Sequence, residues 1–279
     1  MNSQELQLHY EEIKNMYLEQ NLSPKEIGVK FGVERYKINY ILEKNGIQKT
    51  YSEVRRKYKI NENYFDEINT PNKAYILGFL YADGYNNRVN NTIVLSLSQK
   101  DEDILTQIRD EIGSDKPLYY IDYVNKYDGV ERHMVNMTLA SSHMCDMLEK
   151  WGMHQNKTFN INFPEFLDDE LYSHFIRGYF DGDGCACIVK DNRNNKIRYR
   201  LQVTMMSSLL LCKGMEEHLL QEGIIFHTNH PTGKSELNGL IRSGSNIQTK
   251  KFMEYIYKDA DLYMDRKYQV FKEYFNNKD

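Results

Sequence analysis

The chain has 279 residues, of which 41% are hydrophobic and 27% charged. That is enough apolar material to bury a core and excludes wholesale disorder, and no apolar run approaches the ~20 residues of a membrane span. A formal net charge of -4 is not the basic footprint usual in proteins that bind nucleic acid. The length predicts one large or two medium domains at ~150 residues each. The opening MNSQELQLHYEEIK has neither a basic n-region nor an apolar h-region, so a cytoplasmic protein is expected. Cys145, Cys185, Cys187 and Cys212 make no C-x-x-C pair and are expected as buried, reduced thiols.

Charge is unevenly spread. Residues 23 to 60 carry a net +6 and residues 61 to 160 a net -6. Leu6, Tyr10, Ile13 and Tyr17 form one helical stripe over residues 5 to 20. Ser23-Pro24-Lys25-Glu26 then reads as a capping box with proline at the first helical position, and Gly32 ends that helix. A third helix buries Ile38, Ile41 and Leu42 and leaves Arg35, Tyr36, Lys37, Asn39 and Tyr40 on or near its outside. Two short helices around a glycine turn, the second with a basic outer face, resemble the small helix-turn-helix domains of DNA-binding proteins. Residues 1–50 are read as that domain and residues 51–70 as a basic connector.

From residue 71 the chain repeats itself. AYILGFLYADG (74–84) and HFIRGYFDGDG (174–184) lie 100 residues apart, and each is followed by strand, helix, strand and helix patterns. Thr92 to Ser98 is a strand before a helix at 101 to 112, and Ser141 to Trp151 is a second helix. In the second copy Lys196 to Met205 is a strand, with helices at Leu209 to Gln221 and Ile247 to Tyr257. The repeats, 71–160 and 161–279, predict an α+β protein with internal pseudo-twofold symmetry.

Each repeated motif carries small residues four apart, Gly78 and Ala82 in one, Gly178 and Gly182 in the other. Such residues let two helix backbones approach closely. Asp83 and Asp183 follow directly and would meet at the end of the helix pair, each before a glycine suited to a left-handed helix stop. Two carboxylates at the negative ends of helix dipoles repel each other, and a hard divalent cation such as Mg²⁺, completed by substrate phosphates, would relieve both costs.

ILGFLYADG (76–84) and IRGYFDGDG (176–184) resemble the paired motifs of the single-chain LAGLIDADG homing endonucleases, over about residues 64 to 275. The resemblance implies two αββαββα repeats forming a DNA-binding saddle, plus the N-terminal all-α domain. It implies Asp83 and Asp183, with the carbonyls of Gly84 and Gly184, as ligands of two or three Mg²⁺ ions. Gln99, at the end of LSLSQ, matches a polar residue that orders solvent at the metals; Met205, Met206 and Ser207 occupy that place in the second copy. Lys157 and Lys267 match the family's basic active-site segment. Tyr81 stands where the first motif's earlier Asp would be. The implied activity is hydrolysis of both strands of a long, partly asymmetric double-stranded DNA site with 3′ overhangs, by a monomer with no membrane or obligate protein partner.

Period-2 patterning offers faces for that DNA. Lys196, Arg198, Arg200, Gln202 and Thr204 share one parity in the second copy, while Ile197, Tyr199, Leu201, Val203 and Met205 form a core face. In the first copy Arg88, Asn90, Thr92, Ser96 and Ser98 share a parity. HTNHP (227–231) reads as a hairpin loop. The chain does not resemble an intein with its splicing residues and is expected to be free-standing. Alternatives are a catalytically silent DNA-binding regulator on the same scaffold and an RNA intron maturase.

Overall fold

The computed structural model describes residues 3–20, 22–47, 57–155, 157, 160–193 and 196–276. The chain divides into two compact units, Met1–Tyr58 and Lys59–Asp279. Among the described residues no helix is long and apolar enough to cross a membrane.

The first unit holds α1 (Ser3–Leu8), α2 (Tyr10–Leu18), α3 (Pro24–Phe31) and α4 (Arg35–Lys44). Its small core joins Leu6, Ile13 and Tyr17 to Ile27, Ile38, Ile41 and Leu42. The single helix expected over 5 to 20 is interrupted at His9, whose N–H bonds back to Leu6 O at 3.0 Å in a tighter turn. The capping box at α3 is complete: Ser23 Oγ accepts from Glu26 N at 3.2 Å, and Glu26 accepts from Ser23 N at 2.8 Å. Gly32 ends α3 with φ 63°, and a Cβ on Gly28 would lie 2.6 Å from Val33 O, so the turn into α4 is as tight as its two glycines allow.

Residues 51–56 of the expected connector, and 48–50 before it, lie outside the described residues. Its remainder does not act as a linker. Tyr64, Phe65 and Ile68 are buried in the second unit's core, and Trp151 Nε1 donates to Phe65 O at 2.6 Å. The basic stretch ends at Lys59, and the aromatic residues after it carry enough apolar surface to be drawn into the core.

The second unit runs α5 (Pro71–Asp83), β1 (Gly84–Asn87), β2 (Thr92–Ser98), α6 (Glu102–Glu111), β3 (Tyr119–Val124), β4 (Glu131–Ala140) and α7 (Ser142–Lys150). It then repeats with α8 (Tyr172–Asp183), β5 (Gly184–Arg193), β6 (Lys196–Ser208), α9 (Leu209–Gln221), β7 (His227–Asn229), β8 (Asn238–Ser243) and α10 (Asn246–Tyr257). Among the described residues a further helix, α11 (Asp265–Asn276), follows the second copy and not the first. The two antiparallel sheets have matching orders, β1-β2-β4-β3 and β5-β6-β8-β7. Ile93, Leu95 and Leu97 pair across to Leu139, Met137 and Val135, putting six apolar side chains on one face beneath the helices.

Three expectations change. Ile197 and Tyr199 are exposed rather than core, because β8 pairs with β6 only from Val203 to Ser208 and the far end of the β5-β6 hairpin has no layer behind it. Cys185 and Cys187 are exposed, since they take the outward parity of β5 opposite Thr204 and Gln202; only Cys145 and Cys212 are buried. HTNHP is not wholly loop: His227 to Asn229 form the edge strand β7.

Candidate active site and sheet faces

The site starts from the crossing of α5 and α8. A Cβ on Gly78 would sit 2.0 Å from Phe175 O, and one on Gly178 would sit 1.9 Å from Tyr75 O. Each glycine therefore seats the other helix's backbone. One turn further, a Cβ on Gly182 would lie 2.3 Å from the Ala82 Cβ and 3.3 Å from Asp83 Oδ2. The small residues bring the two helix C-termini, and with them Asp83 and Asp183, to one place.

Gly84 and Gly184 are not left-handed stops. Both are extended, at φ -74°, ψ 148° and φ -78°, ψ 153°, because each strand continues directly from its helix. They are glycines for space: a Cβ would meet Leu80 O at 2.6 Å or Phe180 O at 2.5 Å.

Both carboxylates reach solvent, yet packed helix ends strip much of their water. Burial and the charge of Asp183 push Asp83 up to about 6, against the pull of Lys267 and Lys157. Burial likewise raises Asp183. The two lysines are fixed by helix-end carbonyls: Lys157 Nζ donates to Ala82 O at 2.8 Å, and Lys267 Nζ donates to Gly182 O at 3.0 Å and to Phe180 O and Gly184 O at 2.7 Å. Ammonium groups at helix C-termini satisfy otherwise orphaned carbonyls and oppose the dipole. Burial lowers both lysines to about 8.

The two halves are not copies. Tyr179 OH lies 3.3 Å from Asp183 Oδ2 and 3.0 Å from Met206 O and can donate its one hydrogen to either, whereas the matching position of the first motif is Phe79, which has no hydroxyl. Asp181, the earlier Asp of the second motif, is buried and accepts from Met264 N at 2.7 Å and Tyr75 OH at 2.9 Å. In the first motif Tyr81 donates to Trp151 O instead. These two positions tie helices together rather than serving the carboxylate pair.

Gln99 is exposed at the end of β2, in the short 3₁₀ turn Gln99–Asp101. Two residues on, buried Asp101 accepts from Arg266 at 2.6 and 3.0 Å, a bidentate pair linking the first repeat to α11 of the second. Sequence reasoning missed both residues. Their neighbours Gln99 and Lys267 were the only signal, and spacing does not pair residues 165 apart.

Among the described residues no three His, Cys, Asp or Glu groups cluster as a metal cage. The donor set is two hard carboxylates that repel each other and need a cation. That fits Mg²⁺, which is held by one or two carboxylates and completed by water and phosphate oxygens. Among the described residues the Gly84 carbonyl accepts no side-chain bond that competes, while the Gly184 carbonyl already accepts from Lys267.

The expected DNA contacts lie in several settings. Arg35, Tyr36, Asn39 and Tyr40 are exposed on α4, with Lys37 half-buried. Thr92, Ser96 and Ser98 point away from the core of the first sheet, as Arg198, Arg200, Gln202 and Thr204 do in the second. Lys196 begins β6. Arg88 and Asn90 lie in the β1-β2 turn, and Arg88 is held by Asp146 and by Glu149 at 3.2 Å.

No protein-family model matches the chain. A 114-residue stretch, 40% of this chain, is 33% identical to DNA-directed RNA polymerase subunit Rpo1C of Methanocaldococcus jannaschii, spanning 12% of that protein's length. Among solved structures, the meganuclease I-SmaMI bound to uncleavable DNA superposes with a TM-score of 0.51 at 11% identity, over 76% of this chain and 92% of its own. The I-SmaMI LAGLIDADG homing endonuclease bound to cleaved DNA gives 0.50 at 11% identity, over 75% and 88%.

Proposed function

We propose that this chain, which has the fold of the LAGLIDADG homing endonucleases, is a site-specific endonuclease that hydrolyses both strands of double-stranded DNA. The observation that carries the reading is the convergence of Asp83 and Asp183 at the ends of α5 and α8, seated by reciprocal glycine contacts and flanked by Lys157 and Lys267. A protein that only bound DNA would have no use for two carboxylates that repel each other and phosphate alike.

Asp83 and Asp183 would hold the Mg²⁺ ions, two or three shared between them. When bound, Mg²⁺ supplies water activation and charge neutralisation at the leaving oxygen. The protein's own contribution is positional. The packed helix ends fix both carboxylates, Lys157 and Lys267 balance their charge, and Gln99 faces solvent where it can order water. One chain carries both carboxylates, so it acts as a monomer, and the cut is staggered with 3′ overhangs. The outward faces of the two sheets lie in the DNA major groove, which admits a two-stranded β-ribbon. The basic outer face of α4 contacts adjacent DNA and lengthens the site.

Asp83→Asn and Asp183→Asn test this directly. Each abolishes double-strand cleavage of a target plasmid in Mg²⁺ while duplex binding persists. Undiminished cutting by either variant sinks the assignment.

A further inference from the structure

The register of the two sheets shows that their outward faces have different chemistry. On the first, Tyr85 pairs with Val94, Tyr119 with Asn136, Ile121 with Met134 and Tyr123 with Arg132, flanking a hydroxyl-bearing centre of Thr92, Ser96, Ser98 and Thr138, so the face is aromatic, aliphatic and neutral polar with little charge. Tyr85, Tyr119, Ile121 and Tyr123 are all exposed. The one cation in these pairs, Arg132, is bound to Asp128 at 2.6 Å. Asn136 adds a buried amide nitrogen that lacks a hydrogen-bond partner among the described residues. On the second face Thr204 stands between Cys185 and Arg242, and Arg242 pairs with His227. Gln202, Arg200 and Arg198 continue along β6. Arg198, Arg200, Gln202, His227 and Arg242 line one concavity of about 930 Å³.

Base edges distinguish these surfaces. In the major groove thymine presents a C5-methyl that takes apolar contacts, and adenine accepts a bidentate Asn; guanine presents two acceptors that suit an Arg fork. We infer that the DNA target is compositionally asymmetric, with an A·T-rich half under the first sheet and a guanine-rich half under the second. The inference rests on the proposed DNA-binding role and adds the kind of sequence each repeat takes. Its physical origin is cation supply: exposed Arg198 and Arg242 can reach guanine O6 and N7, whereas the first face has aromatic and aliphatic area to lay against methyl groups.

The test is selection of bound duplexes from a randomised pool by the full-length chain, repeated with Arg198→Ala, Arg242→Ala, Tyr119→Ser and Ile121→Ser. All four side chains are exposed, so the variants fold, which circular dichroism checks. The expected site has one guanine-rich and one A·T-rich half. Each arginine variant lowers guanine preference in the first of these by about tenfold or more at one position, and the Tyr119 and Ile121 variants flatten thymine preference only in the other. Halves of equal composition, or arginine variants that alter the A·T-rich half, overturn the inference while leaving the nuclease reading intact. A pool that yields no enriched duplex overturns the DNA-binding role and this inference with it.

Discussion

Gly182→Ala isolates the close crossing of α5 and α8. The new methyl would lie 2.3 Å from the Ala82 Cβ, roughly 1.5 Å inside ordinary carbon contact, and neither group can rotate away. The helices must part or bend, at a cost of about 1 to 3 kcal/mol. The same displacement moves Asp83 relative to Asp183, and misplacement of reacting groups by ~1 Å can cost ~100-fold in rate. Ala82→Gly in the Gly182→Ala background removes the methyl that is struck. The swap keeps one methyl at the crossing, and the helix-propensity changes of about 1 kcal/mol have opposite signs and cancel. Urea unfolding and plasmid cleavage should therefore show a damaged single variant and a double variant restored close to wild type. A single variant that unfolds and cuts like wild type, or a double variant as impaired as the single, refutes the close-packing account.

Lys267→Met should cost more stability than Lys157→Met, about 3 kcal/mol against about 1, because it removes three hydrogen bonds to carbonyls instead of one; equal losses in urea would show that the carbonyl bonds are not what these lysines contribute. The metal-free protein should lose stability relative to Asp83→Asn as pH rises. Asp83 is raised from an ordinary 3.8 to about 6, so the folded state binds the extra proton; the gap is small below pH 4, opens through about 6, and a pH-independent gap contradicts the shift. Deleting residues 1 to 58 leaves a compact unit with both carboxylates. That unit should keep cutting with weaker affinity and a shorter footprint, and an unchanged footprint would remove α4 from the DNA contacts.

Much of the fold was legible because local rules and tertiary demands agreed. The capping box and Gly32 set α3, the 100-residue repeat set two equivalent sheets, and the small residues at i and i+4 marked the helix crossing. Where they disagreed, tertiary packing won. The connector reading failed from Lys59 onward because Tyr64 and Phe65 found a core. Parity alone buried Ile197 and Tyr199, but parity does not say whether a layer lies behind a strand.

What the sequence determined by itself is the repeat, the identity of the two carboxylates and the cationic strand of the second copy, since each is written in residues a few positions apart. Only the tertiary structure decided what surrounds them. It caps Asp183's helix with three bonds from Lys267, gives Asp183 but not Asp83 a tyrosine, and joins Asp101 to Arg266 across the repeats. These partners lie far apart along the chain, so no local periodicity records them. They exist because burying charged and polar groups near a helix crossing is tolerated only when distant segments supply hydrogen bonds.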